Sequence, residues 1–178
     1  MLKKTTTLTS IALATALVSI FSQLSIPMPS GIPLTLQTFI IAFIGYLFTP
    51  KKAVASISLY ILLGAVGVPV FANLKGGMQA LVGATGGFIF GFLFLALFCS
   101  IGNQVQKYFL PIIIGTLGLL LCHALGSIQY SIVTQNPLIA SVLTISIPYL
   151  VKDFLCVAVA HYIARILSRS LLKAGISY

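Results

Sequence analysis

The chain has 178 residues, of which 59% are hydrophobic and only 6% charged, with a formal net charge of +9. An ordinary soluble domain carries roughly 25% charged residues, and a soluble globule of this size has too little interior to hide so much apolar surface. A bilayer removes that constraint, so the composition reads as a single-domain integral membrane protein over residues 1–178.

Lys3 and Lys4 precede a first apolar run, Leu8–Leu24. This resembles a secretory signal, but its small-x-small triplet, Ala12-Leu13-Ala14, lies inside the run and further apolar segments follow, so a retained first helix is expected. Ala12 and Ala16 form a small-residue face on it, available either for packing within the bundle or for docking another membrane protein. Next come Pro27, Pro29 and Pro33 in seven residues, which cannot be helical because each lacks an N–H and restricts its predecessor. A non-helical stretch at membrane level must be buried in protein or line a cavity.

Further spans are expected at Thr35–Phe48, Ala53–Phe71, Met78–Ile101, Tyr108–Ile128 and Tyr149–Leu172, six in all, in an all-α bundle. The last apolar stretch, 138–172, is too long for one ordinary span, and Pro148 divides it. A short helix over Leu138–Ile147, on or dipping into the membrane, therefore precedes the sixth span. Within the fourth, Gly83, Gly87 and Gly91 make a smooth face for close packing, and with Lys75-Gly76-Gly77 they equally allow backbone to approach a ligand.

With the N-terminus inside, Lys3, Lys4, Lys51, Lys52, Lys107, Arg165, Arg169 and Lys173 all fall on the cytoplasmic side, leaving Lys75 and Lys152 outside. The cations thus follow the positive-inside rule, N-in and C-in, and imply no nucleic-acid partner. Lys75, Lys152 and the single acidic residue, Asp153, are what topology leaves unexplained. A charge within a span costs roughly 2.5–3.5 kcal/mol and is usually paired or functional, whereas at the water interface the cost nearly vanishes. Adjacent helical residues point about 100° apart, so Lys152 and Asp153 are not expected to pair with each other.

Catalytic constellations are absent. One carboxylate cannot form an acid/base pair, and GxSxG, HExxH and the Walker A lysine motif do not occur. His123 and His161 lie on different spans and read as packed or interfacial residues. Cys99, Cys122 and Cys156 are scattered without a CxxC, which argues against a disulfide or metal site. Neither enzyme chemistry nor autonomous ATP use is expected, and no cofactor or metal ligand set is indicated.

Several blocks occur in an order that resembles the BioY family, the biotin-specific substrate-binding (S) components of energy-coupling factor (ECF) vitamin transporters. These are Gly31-Ile32-Pro33-Leu34-Thr35-Leu36-Gln37-Thr38-Phe39, then Gly67-Val68-Pro69-Val70-Phe71, then Lys75-Gly76-Gly77. The run Gly83-Ala84-Thr85-Gly86-Gly87-Phe88 follows, similar to the family's Gly-Pro-Thr-Gly-Gly-Tyr signature. The resemblance implies a pocket near the outer face in which an Asp at the start of the sixth helix, here Asp153, receives the ureido N–H groups of biotin. It places Gln37, Gly76, Gly77, Thr85, Gly86 and Phe88 at that pocket and makes Ala12-x-x-x-Ala16 the contact for a transmembrane coupling subunit, itself driven by two ABC-type ATPases in a prokaryotic cytoplasmic membrane. Biotin would be the transported ligand, and another small water-soluble vitamin is the alternative.

The chain departs from the family at Val151-Lys152, where Pro-Gly is usual, and at Cys156, where a Lys stands. Ala84 replaces the signature proline, Lys75 an Asn found in some members, and Ile89 an Arg. Lys75 or Lys152 is then the cation expected to meet the ligand's carboxylate. Phe39, Phe71 and Phe88 are candidate walls.

Overall fold

A computed structural model of the chain describes residues 2–105 and 107–173, with the side chains of residues 2–4 and 172 outside that description. Where the Lys3 and Lys4 side chains lie is therefore outside that description. Helix α1 (Leu2–Gln23) is rich in hydroxyl residues, and these return their O–H groups to the carbonyl one turn back: Thr9 to Thr5 at 3.0 Å, Ser19 to Thr15 at 2.9 Å. In lipid that satisfies a side chain which has no water to turn to. Thr15 also donates to the Ser56 carbonyl at 3.0 Å, and Ser22 donates to that of Val70, fixing α1 against α3 and the segment beyond it.

The proline-rich segment is a hairpin. Strands β1 (Ser25–Ile26) and β2 (Leu34–Thr35) pair antiparallel, Ser25 opposite Thr35, with Pro27–Pro33 as the connecting loop. Two helices follow, α2 (Gln37–Leu47) and α3 (Pro50–Ala65), the second opening with proline in its first turn, where no N–H is needed. Helix α3 stops six residues short of the expected Phe71, because Gly67 takes φ +104° and Pro69 follows. A single 3-10 turn at Ala72–Leu74 leads to Lys75.

The expected span Met78–Ile101 is broken. Helix α4 (Met78–Val82) ends at Gly83, and α5 (Gly86–Asn103) begins after Thr85. The amide of Gln129 donates to the carbonyls of both Leu81 and Gly83, each at 2.7 Å, supplying the partners a continuous helix would have provided. Helix α6 (Leu110–Thr134) is longer than expected and ends at Gln135, in the left-handed region at φ 59°. Helices α7 (Leu138–Ile145) and α8 (Ile147–Lys173) meet at 50°, with Pro148 in the first turn of α8.

The six expected spans correspond to α1, α2, α3, α5, α6 and α8. Three segments, Thr5–Gln23, Gly86–Asn103 and Leu110–Thr134, are long and apolar enough to cross a membrane alone, and the bent α7–α8 pair makes a fourth. Helix α2, at eleven residues, rises only about 16 Å against a hydrocarbon core of about 30 Å.

At the centre α5 packs along α6, α2 against both α5 and α8, and α3 against α1 and α5. Gly87 and Gly91 permit the α5–α6 contact: a Cβ on Gly91 would lie 2.6 Å from the Cα of Cys122, and one on Gly87 would strike the Leu125 carbonyl. Gly83, the third member of the expected glycine face, lies at the helix break instead. Tyr46, Tyr60, Ile41, Ile57 and Leu95 are fully buried, while Leu13, Leu62, Ile132, Val151 and Leu155 face outward. A helical bundle with apolar residues on its outside as well as its inside is a membrane protein.

Candidate functional site

A cavity of about 70 Å³ opens at one end of the bundle, enclosed by the hairpin, the N-terminus of α2, the 71–75 turn, the α4–α5 break, α6 and the α7–α8 junction. Phe71, Phe88, Ile89, Phe92, Leu119 and Ile145 provide apolar walls. The hairpin is held over it by α6 and α8. Tyr149 donates its hydroxyl to the Ile32 carbonyl at 2.7 Å, Tyr130 donates to that of Ser30 at 3.2 Å, and Ile32 packs with Tyr130 and Ile145.

Asp153 lines the cavity with 5% of its surface exposed. Its Oδ1 lies 2.6 Å from the Lys152 ammonium, and its Oδ2 lies 3.2 Å from Nε2 of His123. The expectation that Lys152 and Asp153 do not pair is thus corrected. The 100° offset governs where the Cβ atoms point, but the four-carbon lysine stem carries Nζ back across the first turn of α8. Lys152 also donates to the Thr35 carbonyl at 2.8 Å, joining the hairpin to the acid. At Oδ1 the ion pair is close in distance yet makes no well-directed hydrogen bond, so that buried oxygen keeps acceptor capacity.

His123 is likewise more than a packed residue. It is 5% exposed, its Nδ1 lies 3.1 Å from Oγ of Ser146, and Ser146 lies 2.8 Å from Ser127. Sequence reasoning missed all three. The available signal was the spacing of His123, Ser127 and Tyr130, three polar groups on one face of an otherwise apolar helix, a costly pattern in lipid unless it faces inward. His161, by contrast, is packed as expected, its ring edge-on to Tyr46 at 4.9 Å.

Of the other expected site residues, Gln37, Lys75, Thr85 and Phe88 line the cavity. Gln37 is buried and already engaged, donating to Tyr60 at 2.8 Å and accepting from Thr35 at 3.1 Å, which makes it a brace for the hairpin. Lys75 is exposed at the mouth and forms no ion pair among the described residues. Gly76, Gly77 and Gly86 stand outside the lining. A Cβ on Gly76 would meet the Val68 carbonyl at 2.5 Å, Gly77 donates its N–H to Gly64 at 2.6 Å from φ +87°, and Gly86 abuts the Leu81 carbonyl. Their close approaches are to protein backbone. Phe39 also lies away from the cavity, 6.2 Å from Phe21 and 6.3 Å from Phe43 between ring centroids. Ala12 and Ala16 are exposed on α1, with Ala14 and Val18 turned inward. No group of three or more His, Cys, Asp or Glu placed to hold a metal occurs among the described residues.

Mostly apolar walls, a buried acceptor among them and an exposed cation define a membrane-embedded binding protein for a small amphipathic molecule. Sequence comparison assigns it further: the BioY family profile matches residues 1–173, and the chain belongs to that family. It is 39% identical to the biotin transporter BioY of Thermotoga maritima over 63% of this chain and 66% of that protein. To the probable biotin transporter BioY of Pyrococcus horikoshii it is 32% identical, over 85% and 91% of the two chains. Among solved structures, the crystal structure of the S component for biotin from an ECF-type ABC transporter superposes with a TM-score of 0.77 at 28% identity, covering 92% of this chain and 93% of that one.

Proposed function

We propose that this chain is the S component of a biotin importer, capturing biotin at the outer face of a prokaryotic cytoplasmic membrane and releasing it inward. The observation that carries the reading is the buried Asp153 carboxylate in the lining of a mostly apolar pocket. Biotin's ureido edge offers N–H donors, and a carboxylate can only accept. Its bicyclic thioether suits the Phe71 and Phe88 walls. Six spans with both termini inside put the pocket end outward, and a transmembrane coupling subunit docked on Ala12 and Ala16 would transmit the work of two ABC-type ATPases. The second reading, another small water-soluble vitamin, draws on Ile89 and Cys156, where the family's charged residues are missing.

The two cations now have separable roles. Lys152 is occupied by Asp153 and Thr35, which leaves Lys75 to meet the valerate carboxylate. Lys75→Met is expected to weaken biotin about five-fold, the effect of one water-exposed ion pair, and to leave biotin methyl ester unchanged. Lys152→Met, which strips Asp153 of its counter-ion, weakens acid and ester alike. Equilibrium binding of both ligands to purified protein checks this, and unchanged biotin affinity in both variants would defeat the assignment.

A further inference from the structure

We propose that His123 is the positioning residue that aims Asp153 at the substrate's N–H donors, with Ser146 and Ser127 complementing the tautomer in which it does so. This rests on the biotin reading above and deepens it. A carboxylate has no proton to give, so the 3.2 Å contact requires Nε2 of His123 to carry the hydrogen. With one hydrogen on the ring, Nδ1 is the acceptor that the Ser146 hydroxyl meets at 3.1 Å, and Ser146 in that arrangement accepts from Ser127 at 2.8 Å. All the donors in this row point toward Asp153, and every member is buried. The carboxylate fixes the hydrogen on Nε2, and the serine hydroxyls complement it at the second nitrogen.

The ring is also fixed sideways. Phe88, a wall of the cavity, meets it edge-on at 5.5 Å and 89°. His123 therefore holds one carboxylate oxygen while Lys152 approaches the other, and the rotation of the carboxylate about its own axis is set from both sides. Without His123 the group is free to turn both oxygens onto the lysine, whose two parallel contacts would then compete with an incoming ureido edge. Ser146 adds a structural anchor, since it occupies the junction where α7 and α8 meet at 50°. The row thus ties the acceptor's direction to the bend that closes the cavity.

The test compares biotin with a biotin methylated on its ureido nitrogens, measured by equilibrium binding to the purified full chain. In the wild type, methylation removes the donors and should cost a large factor in affinity. His123→Leu is expected to weaken biotin ten-fold or more and the methylated ligand less than two-fold, so that the ratio between them shrinks about ten-fold, the scale of one charge-assisted hydrogen bond. His123→Gln, whose amide nitrogen can occupy the position of Nε2, should recover most of that ratio. Ser146→Ala should shrink it about three-fold, and decides the matter by itself if His123→Leu does not elute as a single species. A ratio that stays at the wild-type value in these variants, with both ligands weakened equally, overturns the positioning role, as does a glutamine variant no better than leucine. If Asp153→Asn abolishes binding while the ratio is unmoved in His123→Leu, this role falls and the biotin reading stands. Failure of the wild type to bind biotin removes both.

Discussion

Asp153→Asn is expected to lower biotin affinity about a hundred-fold in equilibrium binding, with the protein still folded and eluting as a single species. The substitution preserves shape and removes charge. Hydrogen bonds to a charged acceptor contribute about 1.5–3 kcal/mol each, and a ureido edge makes up to two of them. The amide would also turn an N–H toward the ligand's own N–H or toward the Nε2 hydrogen of His123, since one oxygen cannot serve both. Lys152, with 27% of its side chain exposed, would lose its counter-ion but keep the Thr35 carbonyl and some contact with water, so the loss falls on binding more than on folding. A variant within three-fold of wild type would show that Asp153 is a structural ion-pair member only.

Gly87→Ala is expected to act in the opposite way, on the bundle and not on the ligand chemistry. The added methyl group would collide with the Leu125 carbonyl and sit 2.9 Å from the Cα of Gly126. These are backbone atoms of α6, which cannot swing aside as a side chain could, so α5 and α6 must separate. Overpacking of this kind costs typically about 1–3 kcal/mol, and the closest helix pair of the bundle has no slack to absorb it. A clearly lower thermal unfolding midpoint, with aggregated material on gel filtration, is the expected result. Leu62→Ala, at a site 61% exposed on the outer face, serves as the comparison and should leave the midpoint in place. Equal midpoints for the two variants would mean that α5 and α6 are not in the close contact described.

The parts of the fold readable in advance are those fixed by local chemistry. The proline-rich loop and the identity of the six main helices follow from residues acting on their immediate neighbours, as does the division of the last apolar stretch, although the break falls at Ser146 and Pro148 opens α8. The break between α4 and α5 was invisible because Gly83-Ala84-Thr85 holds no proline and lies inside an apolar run. What makes it tolerable is the amide of Gln129, 46 and 48 residues away in sequence from the carbonyls it serves. The same holds at the site. Asp153 stands out in any reading because it is the single acid in the chain. Its histidine partner, 30 residues earlier on α6, is identified only once α6 and α8 are brought together. Lys152 shows a further limit: helical periodicity describes where a side chain leaves the backbone, and a lysine ends several ångströms from there.

These features sharpen the role of the lone acid. It is clamped between Lys152 and His123, one contact reaching out to the hairpin and the other down to the α7–α8 junction, with acceptor capacity left at Oδ1. Such a group is poorly suited to a ligand that presents only acceptors and well suited to a cyclic urea. The most direct measurement is equilibrium binding of radiolabelled biotin to the purified full chain, with unlabelled biotin, thiamine and riboflavin as competitors. Saturable, tight binding that unlabelled biotin displaces and the other two vitamins do not is the predicted result. Absence of saturable binding, or equal displacement by thiamine or riboflavin, would contradict it.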